Sequence, residues 1–172
     1  MPKTSVNYLS GFCLTALLLI SCGPKIIPDE ISETIDNRLS FEDILKNPKA
    51  HLGKTVLLGG EIIETHVLKD GTEIEILQKP LGPGRAPQFT DRSMGRFFLS
   101  DITFLDPEIY KSGRRITVVG VVKGSKSKQI GTAEQHYPLL EKTHLYLWPP
   151  QSGYASDGSP RISFGFGAIF SD

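Results

Sequence analysis

An Asp-Gly pair at positions 70–71, set between two runs of strand-forming residues, constrains this chain more than any other feature. The stretch Gly53–Leu81 reads GKTVLLGGEIIETHVLKDGTEIEILQKPL. A type I′ hairpin turn needs positive φ at both central residues, and Asp-Gly meets that need at little steric cost. A two-residue loop at Asp70-Gly71 places Val67 opposite Ile74 and Thr65 opposite Ile76. Ile63, Thr65 and Val67 then share a face with Ile74 and Ile76. Glu64, His66 and Leu68 lie with Glu73, Glu75 and Leu77 on the other face, where Glu75 is expected to be exposed. Val56, Leu57 and Leu58 are apolar on both faces, as in a central strand or one curled into a small barrel. Gly59-Gly60 supplies the bend, since glycine inside a strand marks a bulge or a barrel corner.

The ends of the chain read differently. Lys3 precedes an apolar run, Leu9–Ile20, that is short for a membrane span, and the run closes on Leu19-Ile20-Ser21-Cys22. This resembles the lipobox of bacterial lipoproteins, in which an aliphatic residue stands three before the cysteine and a small residue just before it. The resemblance implies a leader 1–21, cleaved after Ser21. It also implies diacylglycerol on the Cys22 thiol and a further acyl chain, palmitate, on its freed amine. One chain binds membranes only marginally, whereas several acyl groups on one residue anchor stably. An ordinary secretory leader with an incidental cysteine is the competing reading, and the neighbours of Cys22 fit it less well. Gly23 follows the cysteine where an aspartate would favour inner-membrane retention, so the outer membrane is the expected destination. With Cys13 in the leader and Cys22 acylated, no disulfide, cysteine nucleophile or Cys-based zinc site is expected.

Between these features lies a small β domain. Residues 22–39 are read as the lipidated cysteine and a polar tether. Its segment Gly23–Arg38 would reach about 50 Å if extended. Ile31 and Ile35 are spaced for a helical turn, but a mobile linker is the simpler reading. Ser40 and Asp43 form a capping box, Leu39 and Ile44 a hydrophobic staple, and Asn47-Pro48 ends the short helix whose Phe41, Ile44 and Leu45 face one end of the barrel. Leu81–Thr90 is a Pro/Gly loop. Gly95–Ser100 gives a third strand, Asp106-Pro107-Glu108 a single helical turn, and Arg115–Lys123 a fourth strand kinked at Gly120. Gly124–Gln129 reads as a polar tip and Gln135–Trp148 as a fifth strand entered at Pro138. The expectation is a mainly β, five-stranded OB-like barrel over residues 40–149, with sandwich-like alternatives open. The Pro/Gly-rich tail 150–172 is expected to be flexible. Its Ile162, Phe164 and Phe166 alternate, so an apolar strip for a membrane or a sheet edge is the sharper alternative.

Taken together, these residues resemble the Slp (starvation-inducible) family of outer membrane lipoproteins of Gram-negative bacteria. The resemblance rests on Phe41…Asn47-Pro48, Gly53-Lys54-Thr55-Val56 with Gly59-Gly60, Thr72–Gln78 followed by Pro80-Leu81, and Gly95-Arg96-Phe97. It continues through Phe104-Leu105-Asp106-Pro107, Thr117-Val118-Val119-Gly120, Ile130-Gly131, Tyr137-Pro138 and Leu147-Trp148-Pro149. Leu58 departs from a position where many relatives carry tryptophan, and Thr132 from one where an acidic residue is common. The resemblance implies a place in the envelope and assigns no catalytic residue, cofactor or ligand.

Candidate chemistry is sparse. Nineteen basic and nineteen acidic side chains leave no field for nucleic acid, which is not an expected partner. His66 faces Glu75 across the expected hairpin, with Glu64 beside it. That is a metal half-site at most, and a solvated cross-strand pair explains it, so no metal is expected. His136 and His144 are evenly spaced and are placed on one face at a barrel rim. Arg85, Arg92, Arg96, Arg114 and Arg115 are candidates for a basic patch. No G-x-S-x-G elbow or phosphate loop is present. The expectation is a non-enzymatic structural or interaction protein, lipid-anchored through Cys22 with its domain facing the periplasm. Beyond membrane lipid, an envelope protein or glycan partner is expected. The alternative is a ligand-binding module for glycan, lipid headgroup or metal, signalled by a concave pocket at Arg96, Tyr137 or His66.

Overall fold

A computed structural model describes residues 25–150; the expected leader 1–21, Cys22 and the tail from Gln151 onward lie outside the described residues. Five strands, β1 Thr55–Leu68, β2 Gly71–Gln78, β3 Arg96–Asp101, β4 Arg115–Ile130 and β5 Ala133–Leu147, close into a barrel in the order β1-β2-β3-β5-β4. Among the described strands only the β3–β5 pair is parallel. This is the expected OB-like barrel, and no sandwich. Helix α1 spans Asp29–Ser32 and α2 spans Phe41–Lys46.

Closure depends on one long strand changing partners. Thr55–Glu61 of β1 pairs with β4, and Gly60–Leu68 pairs with β2. Gly59-Gly60 sits at the exchange because there is no room for side chains: a Cβ at Gly60 would lie 2.3 Å from the Leu77 carbonyl oxygen. Ile74, Ile76, Phe97, Leu99, Ile116, Val118 and Leu140 point inward with no exposed surface. Burying such a side chain contributes roughly 1.5–3 kcal/mol. Helix α2 closes one end. Its capping box is present, with Ser40 Oγ accepting from Asp43 N at 3.2 Å and Asp43 Oδ2 accepting from Ser40 N at 3.1 Å. Phe41 and Ile44 are buried in the core, and Leu39 and Leu45 pack against it.

Four expectations are corrected. Leu68 pairs with Gly71, so Lys69-Asp70 forms the turn, and Thr65 lies opposite Ile74 instead of Ile76. A two-residue slip keeps the same faces, but a bulge at Ile63 then brings Ile62, not Ile63, into the core opposite Ile76. Second, Gly124–Gln129 is no tip. Both β4 and β5 run on past the barrel to Ile130 and Ala133 as a two-stranded ribbon, and Pro138 lies just before β5 gains β3 as a second neighbour. Third, bulges in this ladder break the alternation, so Leu140 and Leu145 both face the core at odd separation and His136 and His144 do not share a face. Fourth, the expected tether is docked from Ile26 onward. Ile27 and Ile35 are buried against Val119 on the barrel's outer wall, with Ile26, Ile31 and Leu57 around them.

Gly71 has φ +141°, and a Cβ there would sit 2.1 Å from the Asp101 carbonyl oxygen of β3. Its glycine is therefore demanded by a neighbouring backbone more than by the turn. Gly71→Val is expected to cost about 2–5 kcal/mol in urea unfolding. Gly113→Ala, at φ +83° in open space, should cost about 1 kcal/mol. Equal costs would show that crowding by β3 contributes nothing.

Candidate functional site

The ribbon bends over the outer face of β2 and β3, and a groove of about 610 Å³ runs between it and the β1–β2 hairpin tip. Strand alternation explains the lining. Ile74 and Ile76 turn into the core, so Glu73 and Glu75 turn outward; Phe97 and Leu99 turn inward, so Phe98 turns outward opposite Glu75. All three outward groups are nonetheless buried, because the ribbon covers them. The Lys126 ammonium lies 5.0 Å from the Phe98 ring centroid, and Tyr137 meets that ring edge-on at 6.1 Å.

An ion network ties ribbon to barrel. Lys126 bonds Glu73 and Lys128 bonds Glu75, while Arg96 Nη1 donates to Glu75 Oε1 at 2.8 Å. Farther along β3, the Asp101 carboxylate pairs with Lys142. Burial pushes the Glu75 carboxyl up, but its bonds to Lys128 and Arg96 outweigh this and hold it below its ordinary value. Asp101 shows the same balance: burial raises it, and Lys142 and the Thr103 amide bring it down.

The expectation that Glu75 lies exposed is therefore overturned: it has no accessible surface. His66 lies directly opposite Glu73, with Glu64 opposite Glu75. His66 Nε2 stands 3.3 Å from Glu64 Oε2. Glu64, His66 and Glu75 can present ligand atoms within 4.8 Å of one another. The Lys128 ammonium already occupies this position, bonded to Glu75 and 3.9 Å from Glu64. A divalent ion would have to displace it. Four of the five arginines expected to form a patch have partners of their own. Arg96 serves Glu75, Arg114 donates to the Ile109 and Trp148 carbonyls, Arg115 donates to the Pro87 carbonyl, and Arg85 reaches Ser32. Ser127 Oγ and His136 Nδ1 are 2.9 Å apart, both exposed on the ribbon. His144 Nε2 instead meets the Ile26 carbonyl oxygen at 2.8 Å.

Lys126 and Lys128 are the site residues missed by sequence reasoning. Their signal was present: two lysines at a spacing of two, matching Glu73 and Glu75 at the same spacing.

The geometry defines an OB-like barrel whose outer β2–β3 face carries a half-covered, charge-paired groove. A family model, the outer membrane lipoprotein Slp family, matches residues 19–165, and the chain belongs to that family. Two curated relatives are similar in sequence. An uncharacterized protein of Haemophilus influenzae is 36% identical over 59% of this chain and 55% of its own length. The uncharacterized lipoprotein YeaY of Escherichia coli is 24% identical over 83% of this chain and 74% of its own. The chain thus spans about half the length of the first of these. Among solved structures, the mitochondrial single-stranded DNA binding protein Rim1 of S. cerevisiae aligns over 55% of this chain and 94% of its own, at 12% identity with a TM-score of 0.31. A small single-stranded DNA-binding protein of Streptomyces coelicolor aligns over the same shares, at 9% identity with a TM-score of 0.32. Likeness at that level carries no argument about ligands.

Glu75→Gln removes a buried charge and strands two cations. Both cations reach solvent, so the cost is expected near about 2–3 kcal/mol, below the ~3–5 kcal/mol of a wholly buried pair. A urea-melt change under about 1 kcal/mol would show that the network is dispensable. Acid should loosen the fold by the same route. The folded-state carboxyls of Glu75 and Asp101 titrate below their ordinary values of 4.5 and 3.8. Their contribution is complete at neutral pH and is lost as pH falls from those values through the lower folded ones. Thermal unfolding of the Glu75→Gln variant should show a weaker pH dependence in that window; an unchanged one would exclude Glu75 as its source.

Proposed function

We propose that the mature protein is held at the outer membrane by acyl chains on Cys22 and acts there, without catalysis, as a periplasm-facing docking module whose contact surface is the groove. The supporting observation is the internal pairing of Glu73 and Glu75, the two carboxylates that β2 turns toward the ribbon. A general acid or base must exchange protons near neutral pH, whereas Glu75 is held ionised between Lys128 and Arg96 and Glu73 is bonded to Lys126. The trough between them keeps half-exposed Val67 and Leu68 at the hairpin tip and a polar wall at Lys126, Ser127 and Lys128. Such a surface suits an extended envelope partner, protein or glycan, that offers both apolar and acceptor groups.

A photo-crosslinking residue at Leu68 in living cells should give a discrete adduct that the same residue at Lys111, outside the groove, does not give. Equal labelling at both positions, or none at Leu68, refutes the groove as the contact surface. The anchor has its own test. Cys22→Ser is expected to leave an uncleaved or soluble precursor, and a variant still processed and still in the outer-membrane fraction would refute lipidation.

A further inference from the structure

The described chain starts close to the proposed anchor and is already docked. Four residues after Cys22, the Ile26 carbonyl oxygen meets His144 Nε2 at 2.8 Å. Ile27 beside it is buried against the barrel wall, and farther on Asp36 N donates to the Thr55 carbonyl at 2.9 Å. Covalent geometry allows four residues at most about 14 Å. An acylated Cys22 therefore cannot hold the barrel far from the headgroups, and the wall that carries Ile26 is the wall that must meet them.

That wall contains a hollow of about 260 Å³ lined by Lys25, Ile26, Ile27, Ser32, Gly84 and Arg85. Arg85 is held there in a conformation that side chains seldom adopt, φ +62°, its carbonyl accepting from Thr117 Oγ1 at 2.8 Å. One guanidinium nitrogen, Nη2, donates to Ser32 Oγ at 3.2 Å, while Nη1 is buried without a hydrogen-bond partner among the described residues. A buried donor of this kind calls for an acceptor. Lys25 is exposed beside it, paired with Asp29, and Glu30 and Glu33 are exposed on the same segment. The wall as a whole is not basic. A cationic hollow next to carboxylates fits a zwitterionic headgroup, phosphate toward Arg85 and ammonium toward the acids, better than a purely anionic one.

We infer that residues 25–35 and the Pro83–Arg85 turn form the membrane-apposed face of the barrel, with Arg85 and Lys25 taking the phosphate of a zwitterionic phospholipid. This inference rests on the Cys22 anchor proposed above. The docked segment lies on β1, β4 and β5, and the order β1-β2-β3-β5-β4 puts β3 across the barrel from the β1–β4 seam. Seating this face on lipid therefore turns the β2–β3 groove toward the periplasm.

The test uses the full-length protein, processed in a Gram-negative host and reconstituted in phosphatidylethanolamine vesicles with a minor phosphatidylglycerol fraction. Single cysteines at Glu30 and Ser127 carry a spin label, and a headgroup-bound nickel chelate relaxes whichever label lies near it. Relaxation at position 30 should exceed that at 127 at least threefold. The excess should persist in Arg85→Lys, fall by half or more in a Lys25→Glu/Arg85→Gln variant, and shrink in wholly phosphatidylglycerol vesicles. Equal relaxation at 30 and 127 in anchored protein overturns the apposed face while leaving the anchor intact. An excess indifferent to the charge variants and to lipid overturns the headgroup contact. Protein that stays in the supernatant, with Cys22 unmodified by mass, overturns the anchor and this inference together.

Discussion

The partner exchange of β1 at Gly60 is the constraint on which everything else depends. A barrel has no free edges only if every strand is paired on both sides, and here β1 meets its two neighbours along different halves of its length. β1 does so by pairing with β4 up to Glu61 and with β2 from Gly60 onward. At the exchange the backbones of β1 and β2 come so close that the Leu77 carbonyl would lie 2.3 Å from any Cβ at Gly60. The bulge at Ile63 then resets the alternation so that Ile62 fills the core while Glu64 and His66 reach the groove. Site and closure are thus products of the same irregularities.

The parts of the fold legible in sequence are those whose cause is local. The capping box of Ser40 and Asp43, the stop at Asn47-Pro48 and the inward Ile74 and Ile76 each follow from neighbours a few residues away. Misread features have causes elsewhere in the chain. Asp70-Gly71 reads as a turn because that dipeptide so often is one. Here Gly71 answers to the Asp101 carbonyl of β3, thirty residues on, and the turn forms one residue earlier. Likewise GSKSKQ is polar enough to pass for a loop, and only its partners, Glu73 and Glu75, reveal a strand with lysines on one side.

The docked N-terminal segment makes the same point from the apolar side. Ile26, Ile27, Ile31 and Ile35 are too few to form a helix face and too scattered among charges to announce a core. Their partner is Val119, which turns to the outer wall while Val118 beside it turns to the core. A strand with two apolar faces needs cover on both. The barrel core covers one, and the segment from Ile26 covers the other. The adjacent Val118-Val119 pair in sequence was therefore evidence for a second layer as well as for a central strand.

What the ion network supplies is register more than strength. Salt bridges taken out of water seldom contribute more than apolar groups of the same shape would. An apolar ribbon, however, could slide along the β2–β3 face with little penalty and would present sticky strand edges to other copies. Lys126 and Lys128 are matched to Glu73 and Glu75 rung for rung. A slip of one residue would turn both lysines away, leaving Glu73 buried beside Phe98 without its cation and Glu75 with Arg96 alone. The shape of the groove depends on where the ribbon lies, so Glu75, which in sequence offers part of a metal half-site, belongs in the fold to the device that positions the groove's wall.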